Sequence, residues 1–404
     1  MQKELVVQKF GGTSVGSIER IRNVAQIIKS TAQSQNNIVV VSAMAGSTNK
    51  LVEMSQEMSH KPQPEAYDML LASGEQVSCA LLSMALTDIG VKALPLMAFQ
   101  AGIETDHSST QAKIARINPK IISSYLNDGY TPIIAGFQGI SHNGKQSIVT
   151  TLGRGGSDTS AVAVAVALKA TRCDIFTDVD GVYTADPRIV PEAKRIDKIS
   201  FSEMMELASL GAKVLHMRSV ELAAKYQMPL RVLSTFQPNE KGTTLMNPED
   251  LLESPVVSSV TSSANETLMS VRVSDEVAQY PAKFFRPLAD KKINVDVIVK
   301  TPQNSNNRST ISFTVPSQDT AMAIEALKPH EVDVHQEPIS KVSIVGLGMT
   351  THHGVAATMF ETLEKANIPI FLVSTSEIKI SVLIASSLKD DAVRAIHRAF
   401  QLDK

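Results

Sequence analysis

At 404 residues the chain exceeds a single average domain, and its 43% hydrophobic content is ample for more than one core. Its 39 basic and 41 acidic residues nearly cancel, leaving a formal charge of −2, and tryptophan is absent. That balance argues against a nucleic-acid surface, an acidic tail or a base-stacking platform. Cys79 and Cys173 lie far apart in apolar surroundings and read as buried thiols rather than a disulfide or a metal pair. The histidines lack ligand spacing, a strand begins within five residues of the start, and no apolar run reaches membrane-spanning length. A soluble, cytoplasmic protein is expected.

The first predicted element is the β-branched run Leu5–Lys9, a buried strand. It enters Lys9-Phe10-Gly11-Gly12-Thr13-Ser14, and a helix follows over Ser17–Ser30, where Ile18, Ile21, Ala25 and Ile28 recur at helical spacing. A strand, a glycine turn and a helix, with lysine closing the strand, can cradle phosphate oxygens on backbone N–H groups while the ammonium supplies a point charge. The Walker spacing and G-x-G-x-x-G are both absent, so neither a P-loop nor a dinucleotide fingerprint is supported.

Further strands are predicted at Ile38–Ser42, Thr131–Gly136, Ile175–Thr177 and Leu230–Leu233, with helices at Pro64–Gly90, Ala112–Leu126, Ser157–Lys169 and Phe201–Tyr226. The strands are short, apolar and unalternated, as in a mostly parallel sheet covered by helices on both faces. Between them lies Thr151-Leu152-Gly153-Arg154-Gly155-Gly156-Ser157-Asp158-Thr159-Ser160. Its glycines allow close backbone approach, its arginine offers a planar fork, and Ser-Asp-Thr suits a first helical turn that favours negative charge. Taken alone, the segment has a less favoured alternative, a turn that caps a helix and binds nothing.

A polar stretch at 248–265, rich in serine with two prolines, reads as a linker. Beyond it the order strand, helix, strand, strand, helix occurs twice. The first copy uses Leu268–Val273, Pro281–Ala289, Val295–Val299, Ser309–Val315 and Thr320–Leu327. The second uses Lys341–Val345, Val355–Ala366, Ile370–Ser374, Ile378–Ile384 and Lys389–Phe400. An internal repeat of about 70 residues of ferredoxin-like type is more often a ligand-binding or dimerisation module than a catalytic one.

The two glycine clusters occur in order with Ser42-Ala43-Met44-Ala45-Gly46-Ser47-Thr48-Asn49, Ser73-Gly74-Glu75-Gln76, the run Thr177 to Arg188, and Gly211-Ala212-Lys213-Val214-Leu215-His216. In that order and spacing, over nearly the whole chain, the sequence resembles the aspartate kinases. The resemblance implies an α/β amino-acid-kinase fold over 1–247, a linker over 248–265, and two ferredoxin-like ACT domains of βαββαβ type over 266–338 and 339–404. It also implies transfer of the ATP γ-phosphoryl group to the β-carboxylate of L-aspartate, giving 4-phospho-L-aspartate, the first step towards lysine, threonine and methionine.

That chemistry needs no general base, because a carboxylate nucleophile with a pKa of about 3.9 is already ionised at neutral pH. The site must supply charge neutralisation and in-line placement. Lys9 suits the bridge between phosphoryl group and acceptor, and Asp158 suits orientation of Lys9 or of the substrate ammonium. By the resemblance, Glu75 takes the substrate ammonium and Arg154 its α-carboxylate, while Ser42, Thr48, Gly155, Gly156 and Ser157 complete the substrate site. Lys9, Phe10, Gly11, Gly12, Thr177, Asp178, Tyr183, Arg188 and Lys213 correspond to the nucleotide pocket. Mg²⁺ is expected with ATP, held mainly by phosphate oxygens and water, with few dedicated protein ligands and none named. A homodimer through the ACT domains is implied, with an amino-acid effector at Asn294, Asp296, Val355, Ala356, Thr375 and Ser376. The alternatives are another small-molecule kinase of the same fold, or an inactive regulatory chain that only binds amino acids.

Four departures from the family pattern stand out. Met217 replaces a common proline, and Glu276-Val277-Ala278-Gln279 replaces Asp-Lys-Pro-Gly. Lys300 replaces a glutamine and Pro369 an asparagine. The last three changes fall at effector contacts, so an enzyme insensitive to feedback, or responsive to a different ligand, is expected, with the ACT dimer kept as a scaffold.

Overall fold

The computed structural model of the chain describes all residues except 1–2, 145, 213, 248–254, 303–307, 329–331, 333 and 350–351. It divides into two compact units. The first comprises Met1–Tyr183, Arg195–Ser209 and Lys213–Glu253, and the second Thr184–Lys194, Leu210–Ala212 and Ser254–Lys404.

In the first unit β1 (Glu4–Phe10) leads through the glycine turn to α1 (Ile18–Thr31), β2 (Gln35–Val41), α2 (Ser47–Met58) and α3 (Pro64–Asp88). Next come β3 (Ala93–Leu96), β4 (Ile103–Thr105), β5 (Ile114–Ile117), α4 (Pro119–Asn127) and β6 (Thr131–Ala135). The hairpin of β7 (Gln138–Asn143) and β8 (Gln146–Thr151) runs into α5 (Gly156–Ala167) and β9 (Arg172–Thr177). Short β10 (Val182–Tyr183), β11 (Arg195–Ile196) and β12 (Lys198–Ser200) precede α6 (Phe201–Ser209), α7 (Met217–Tyr226), β13 (Leu230–Ser234) and β14 (Thr243–Met246).

Eight strands form one sheet in the order β12-β14-β13-β9-β1-β2-β6-β3, parallel at every pairing except β13 with β14. Because β2 lies on one side of β1 and β9 on the other, the winding reverses at β1. In open α/β sheets that reversal leaves a crevice beyond the carboxyl ends of the strands, where ligands bind. Lys9, near the end of β1, is level with Val40 of β2 and Ile175 of β9.

The apolar strand runs explain why both faces are covered, since Val6, Val7 and Val39 to Val41 are all fully buried. On one face Ile21 and Ile28 of α1 and Leu82 and Leu86 of α3 join a core with Phe10 and Phe176. Each such side chain contributes roughly 1.5–3 kcal/mol by burial. The Ala-Val alternation of α5 gives a helix buried on all sides, and its alanines permit close packing. Ser17 caps α1 by accepting from the Arg20 amide at 3.2 Å. Ser200 and Glu203 make a reciprocal capping box at the start of α6.

The fold departs from three expectations. The helix expected over Ala112–Leu126 is a strand, β5, followed by α4, which starts where Asn118 caps and Pro119 occupies the first turn. The helix expected over Phe201–Tyr226 is two helices, separated around Gly211 at φ 107°. No apolar run of membrane-spanning length is expected, yet α3 is long and apolar enough by length and composition to cross a membrane, although half of its apolar window is buried, with the side chains of Asp68 and Glu75.

The second unit contains β15 (Ser259–Ser274), α8 (Asp275–Gln279), α9 (Ala282–Asp290), β16 (Asp296–Pro302), β17 (Arg308–Pro316) and α10 (Thr320–Leu327). It continues with β18 (Val334–Val345), α11 (Val355–Lys365), β19 (Leu372–Thr375), β20 (Lys379–Ala385) and α12 (Lys389–Ala399). The six strands make one antiparallel sheet in the order β16-β17-β15-β18-β20-β19. The stretch expected to be a linker therefore ends as structure. Ser259 to Ser263 pair with Lys341 to Val345, and a bulge at Asn265 (φ 69°) separates them from the part of β15 that pairs with β17. A strand preceding the first repeat thus lies beside the first strand of the second.

Residues 184–194 also belong to this unit. The Val260 amide donates to the Thr184 carbonyl at 2.7 Å, and Thr184 Oγ1 lies 2.9 Å from His397 Nε2. Ala185 and Val190 are buried with Val260, Met359 and Ile396.

Candidate active site

The crevice beyond β1 is an open cleft of about 1230 Å³, and every residue lining it belongs to the first unit. One wall is the β1 turn and the N-terminus of α5. Lys9 Nζ lies 2.5 Å from Asp158 Oδ1, and both side chains are about nine-tenths buried, at 11% and 12% exposure. Asp158 stands in the first turn of α5, where unpaired amides and the dipole favour an anion. The helix starts because Gly155 adopts φ 69° and ψ 12°, and the Gly156 amide closes a turn onto the Gly153 carbonyl at 3.0 Å. A Cβ on Gly155 would meet His216 Cγ at 2.1 Å, so the backbone passes directly against that ring.

The opposite wall is the turn after β2 and the N-terminus of α2, a helix not among the predicted elements. Gly46 opens α2 at φ 81°, and Ser42, Ala43, Ala45, Gly46 and Thr48 line the cleft. The two turns interlock, since the Ala45 amide donates to the Gly12 carbonyl at 3.0 Å and a Cβ on Gly12 would sit 2.9 Å from the Ala43 carbonyl. Two helix N-termini and the Lys9 ammonium therefore border one space.

At its floor, α3 approaches so closely that a Cβ on Gly74 would lie 2.9 Å from Ala43 Cβ. That packing delivers Glu75, whose Oε1 accepts the Ala43 amide at 3.0 Å. Its Oε2 is buried with no hydrogen-bond partner among the described residues. Burial pushes the Glu75 pKa up to about 7, only partly offset by the Ala43 N–H. The third wall is Phe137, Thr151, Leu152, Gly153 and Arg154. Arg154 is exposed, and no protein partner holds its guanidinium among the described residues.

The cleft thus gathers Lys9, Gly12, Ser42, Thr48, Glu75, Arg154, Gly155, Gly156, Ser157 and Asp158. Other expected residues stand elsewhere. Phe10 is a core residue, fully buried and stacked on Phe176 with ring centroids 4.6 Å apart. The Gly11 amide is committed to the Phe176 carbonyl at 3.0 Å, so it is not free for phosphate. Thr177 and Asp178, at the end of β9, bond each other at 3.1 Å, and the Tyr183 hydroxyl donates to Asp180 at 2.9 Å. None of these lines the cleft. Arg188 belongs to the second unit, where it pairs with Asp186 at 2.6 Å. Lys213 lies outside the described residues.

Phe137, Thr110 and Arg218, which no sequence motif marks, also line the cleft, as do Thr151 and His216, which the motifs contain without a role. A signal existed for the first. A Cβ on Gly136 would meet Ser157, Val40 and Val41 at 3.0 Å, so the glycine before Phe137 marks a tight backbone approach.

Among the expected effector residues, Asp296 Oδ2 is 2.5 Å from Lys341 Nζ, a buried ammonium that also lies 3.4 Å from Glu266 Oε1. Val355 is buried in the core beneath α11, with Ala356 packed against it. Asn294, Thr375 and Ser376 are exposed.

Comparison with known proteins bears on what this cleft does. The amino acid kinase family matches residues 4–234 and an ACT domain matches 342–400. An aspartokinase of Pseudomonas aeruginosa is 45% identical over 99% of this chain and 98% of its own. The structure of E. coli aspartokinase III with aspartate and ADP is 27% identical, with a TM-score of 0.77 over 98% of this chain and 99% of that one. The same enzyme with lysine and aspartate gives a TM-score of 0.79 over 98% and 100%. An amino-acid-kinase unit, an ACT unit and this identity over nearly the full length make the chain a member of the aspartate kinase family.

Proposed function

We propose that the cleft transfers the γ-phosphoryl group of ATP to the β-carboxylate of L-aspartate, with the Lys9–Asp158 pair at the centre of the reaction. The observation that carries this reading is the convergence of Lys9, Asp158, Glu75 and Arg154 on one cleft at two helix N-termini. A carboxylate oxygen of aspartate attacks the γ-phosphorus, the bond to the β–γ bridging oxygen breaks, and ADP leaves with that electron pair. No proton moves, so no base is needed. Lys9 neutralises charge that builds on the transferring group, and Asp158 holds the ammonium in place. Glu75 meets the substrate ammonium with its free oxygen, and the arriving cation favours the ionised carboxylate. Arg154 grips the α-carboxylate, while Ser42 and Thr48 offer hydroxyls at the start of α2.

Among the described residues no three acidic, histidine or cysteine side chains are grouped to hold a metal, and Asp158 is engaged by Lys9. That donor set fits Mg²⁺ carried in on ATP by phosphate oxygens and water. When bound, Mg²⁺ would supply neutralisation of phosphate charge. By the family pattern Thr177, Asp178, Tyr183 and Lys213 serve the nucleotide. An inactive regulatory chain is disfavoured because all four charged groups of the reaction are present together.

Arg154→Lys tests the assignment. Losing a bidentate, charge-assisted contact should raise the aspartate KM about tenfold or more, with the ATP KM within about twofold. A change confined to the ATP KM would move Arg154 to the nucleotide.

For regulation, we propose a homodimer through the ACT unit and weakened feedback by lysine or threonine. Asp296 already has an internal ammonium in Lys341. Lys300 adds a second cation on the same strand, and Pro369 has no N–H to offer. An effector inhibits only by its differential affinity for the inactive state, and three lost contacts of about 1 kcal/mol each weaken binding about a hundredfold. Half-inhibition by either amino acid below about 1 mM, an affinity near −4 kcal/mol, would overturn this.

A further inference from the structure

We propose that Asp68 is a positioning residue for the aspartate side of the cleft, acting through Thr151 and the turn at Thr110. The inference rests on the reading of Arg154 as the aspartate clamp. Asp68 lies on α3 between Tyr67 and the apolar run Met69-Leu70-Leu71, and it is fully buried. Its two oxygens share the Thr110 amide at 3.1 and 2.9 Å, and Oδ1 also accepts the Thr151 hydroxyl at 2.5 Å. Asp68 is not itself a lining residue, whereas Thr110 and Thr151 both are.

A second group completes the frame. On α7, Arg218 donates from Nη1 to the Leu152 carbonyl at 2.7 Å and from Nη2 to the Ala112 carbonyl at 2.8 Å. The Ala112 amide in turn donates to the Thr151 carbonyl at 2.9 Å. One buried anion and one cation therefore tie two backbone segments together, and the second of them ends at Arg154. The tie has to resist local strain. Thr110 is β-branched yet sits at φ 67°, and its own amide is the one Asp68 holds. Gly153, the residue before Arg154, packs so that a Cβ would lie 3.2 Å from the Thr110 carbonyl. Releasing Thr110 thus frees the surface on which the Arg154 turn rests. Burial raises the Asp68 pKa and the Thr151 and Thr110 donors oppose it, as for a carboxylate kept buried for its hydrogen bonds. A hydroxyl whose proton is committed to Asp68 can only accept, so Thr151 can take an N–H from a ligand but cannot donate to an oxyanion.

The test is Asp68→Asn in the full chain, with Thr151→Val and the double variant. The amide must turn an NH₂ towards one of two donors, so the frame loosens without a change in side-chain size. The aspartate KM should rise about fivefold or more while the ATP KM stays within about twofold, as expected when one substrate's contacts are displaced. The double variant should cost no more than the worse single one, because Thr151→Val removes a hydrogen bond that Asp68→Asn already loosens. A merely structural role would lower thermal stability or kcat without separating the two KM values, and that outcome overturns the proposal. Should Asp68→Asn fail to fold, Thr151→Val decides alone, and an unchanged aspartate KM there overturns it equally. Arg154→Lys is the control. An aspartate-selective effect in that variant without one in Asp68→Asn rejects this inference and leaves the clamp standing, whereas an ATP-only effect in Arg154→Lys rejects the clamp itself.

Discussion

Lys9→Met is expected to lower kcat by about a thousandfold or more, in line with removal of a charge that stabilises a transition state. Methionine keeps the aliphatic stem, so the loss is electrostatic rather than a cavity. What remains is the Asp158 carboxylate, about nine-tenths buried and deprived of the ammonium 2.5 Å away. An abandoned buried anion destabilises the fold, so Lys9→Met should lower the thermal midpoint as well as turnover. The double change Lys9→Met with Asp158→Asn separates the two effects, since it should restore much of the midpoint and none of the turnover. A single variant turning over within about threefold of wild type, far less than loss of such a charge costs, would remove Lys9 from the mechanism.

Gly155→Ala should be nearly as damaging for a steric reason. The residue sits at φ 69°, which costs an alanine about 1 kcal/mol. Its new methyl would lie 2.1 Å from His216 Cγ and 2.3 Å from His216 Cβ. Either the His216 ring or the start of α5 must move, and Asp158 and Ser157 move with the helix. A loss of about a hundredfold in kcat/KM follows, comparable to displacing reacting groups by an ångström. Gly46→Ala is the matched control. It has the same left-handed backbone at the start of α2, at φ 81°, but no heavy atom within 4 Å of the added carbon. If the two alanines behave alike, the damage is backbone strain and the His216 contact is irrelevant.

The alternation of strand and helix through the first unit was legible because parallel strands buried on both faces carry continuous apolar runs. The glycine clusters that border the cleft were legible too, since close approach and left-handed backbone demand glycine itself. What escaped the sequence has physical reasons. Only Ser55 of α2 is buried, so that helix lacks the apolar stripe that betrays a helix. Ile114 and Ile117 are three apart, which mimics helical spacing in what is a strand ending at an Asn-Pro cap. Phe10 carried the right position for a ligand contact, but an aromatic at the end of a central strand found a ring to stack on instead. Asp68 and Arg218 hold the backbone of segments distant in sequence, and no local pattern announces a partner 42 or 66 residues away. Likewise the repeat in the last third was visible, while the strand lent by Ser259 to Ser263 was not, because periodicity says nothing about which strand will pair with it.

The excursion of residues 184–194 bears on how such a chain can be taken apart. Both ends of the segment are anchored in the first unit by the β10–β11 pair, Val182 to Ile196 and Tyr183 to Arg195. Its middle, through Ala185 and Val190, is core material of the second. No single peptide bond therefore separates catalysis from regulation. A chimera joined near residue 255 would exchange the ACT sheet yet keep an eleven-residue loop shaped for the old one. The interchangeable part is the sheet together with that loop and residues 210–212, so all of them must be transplanted as one.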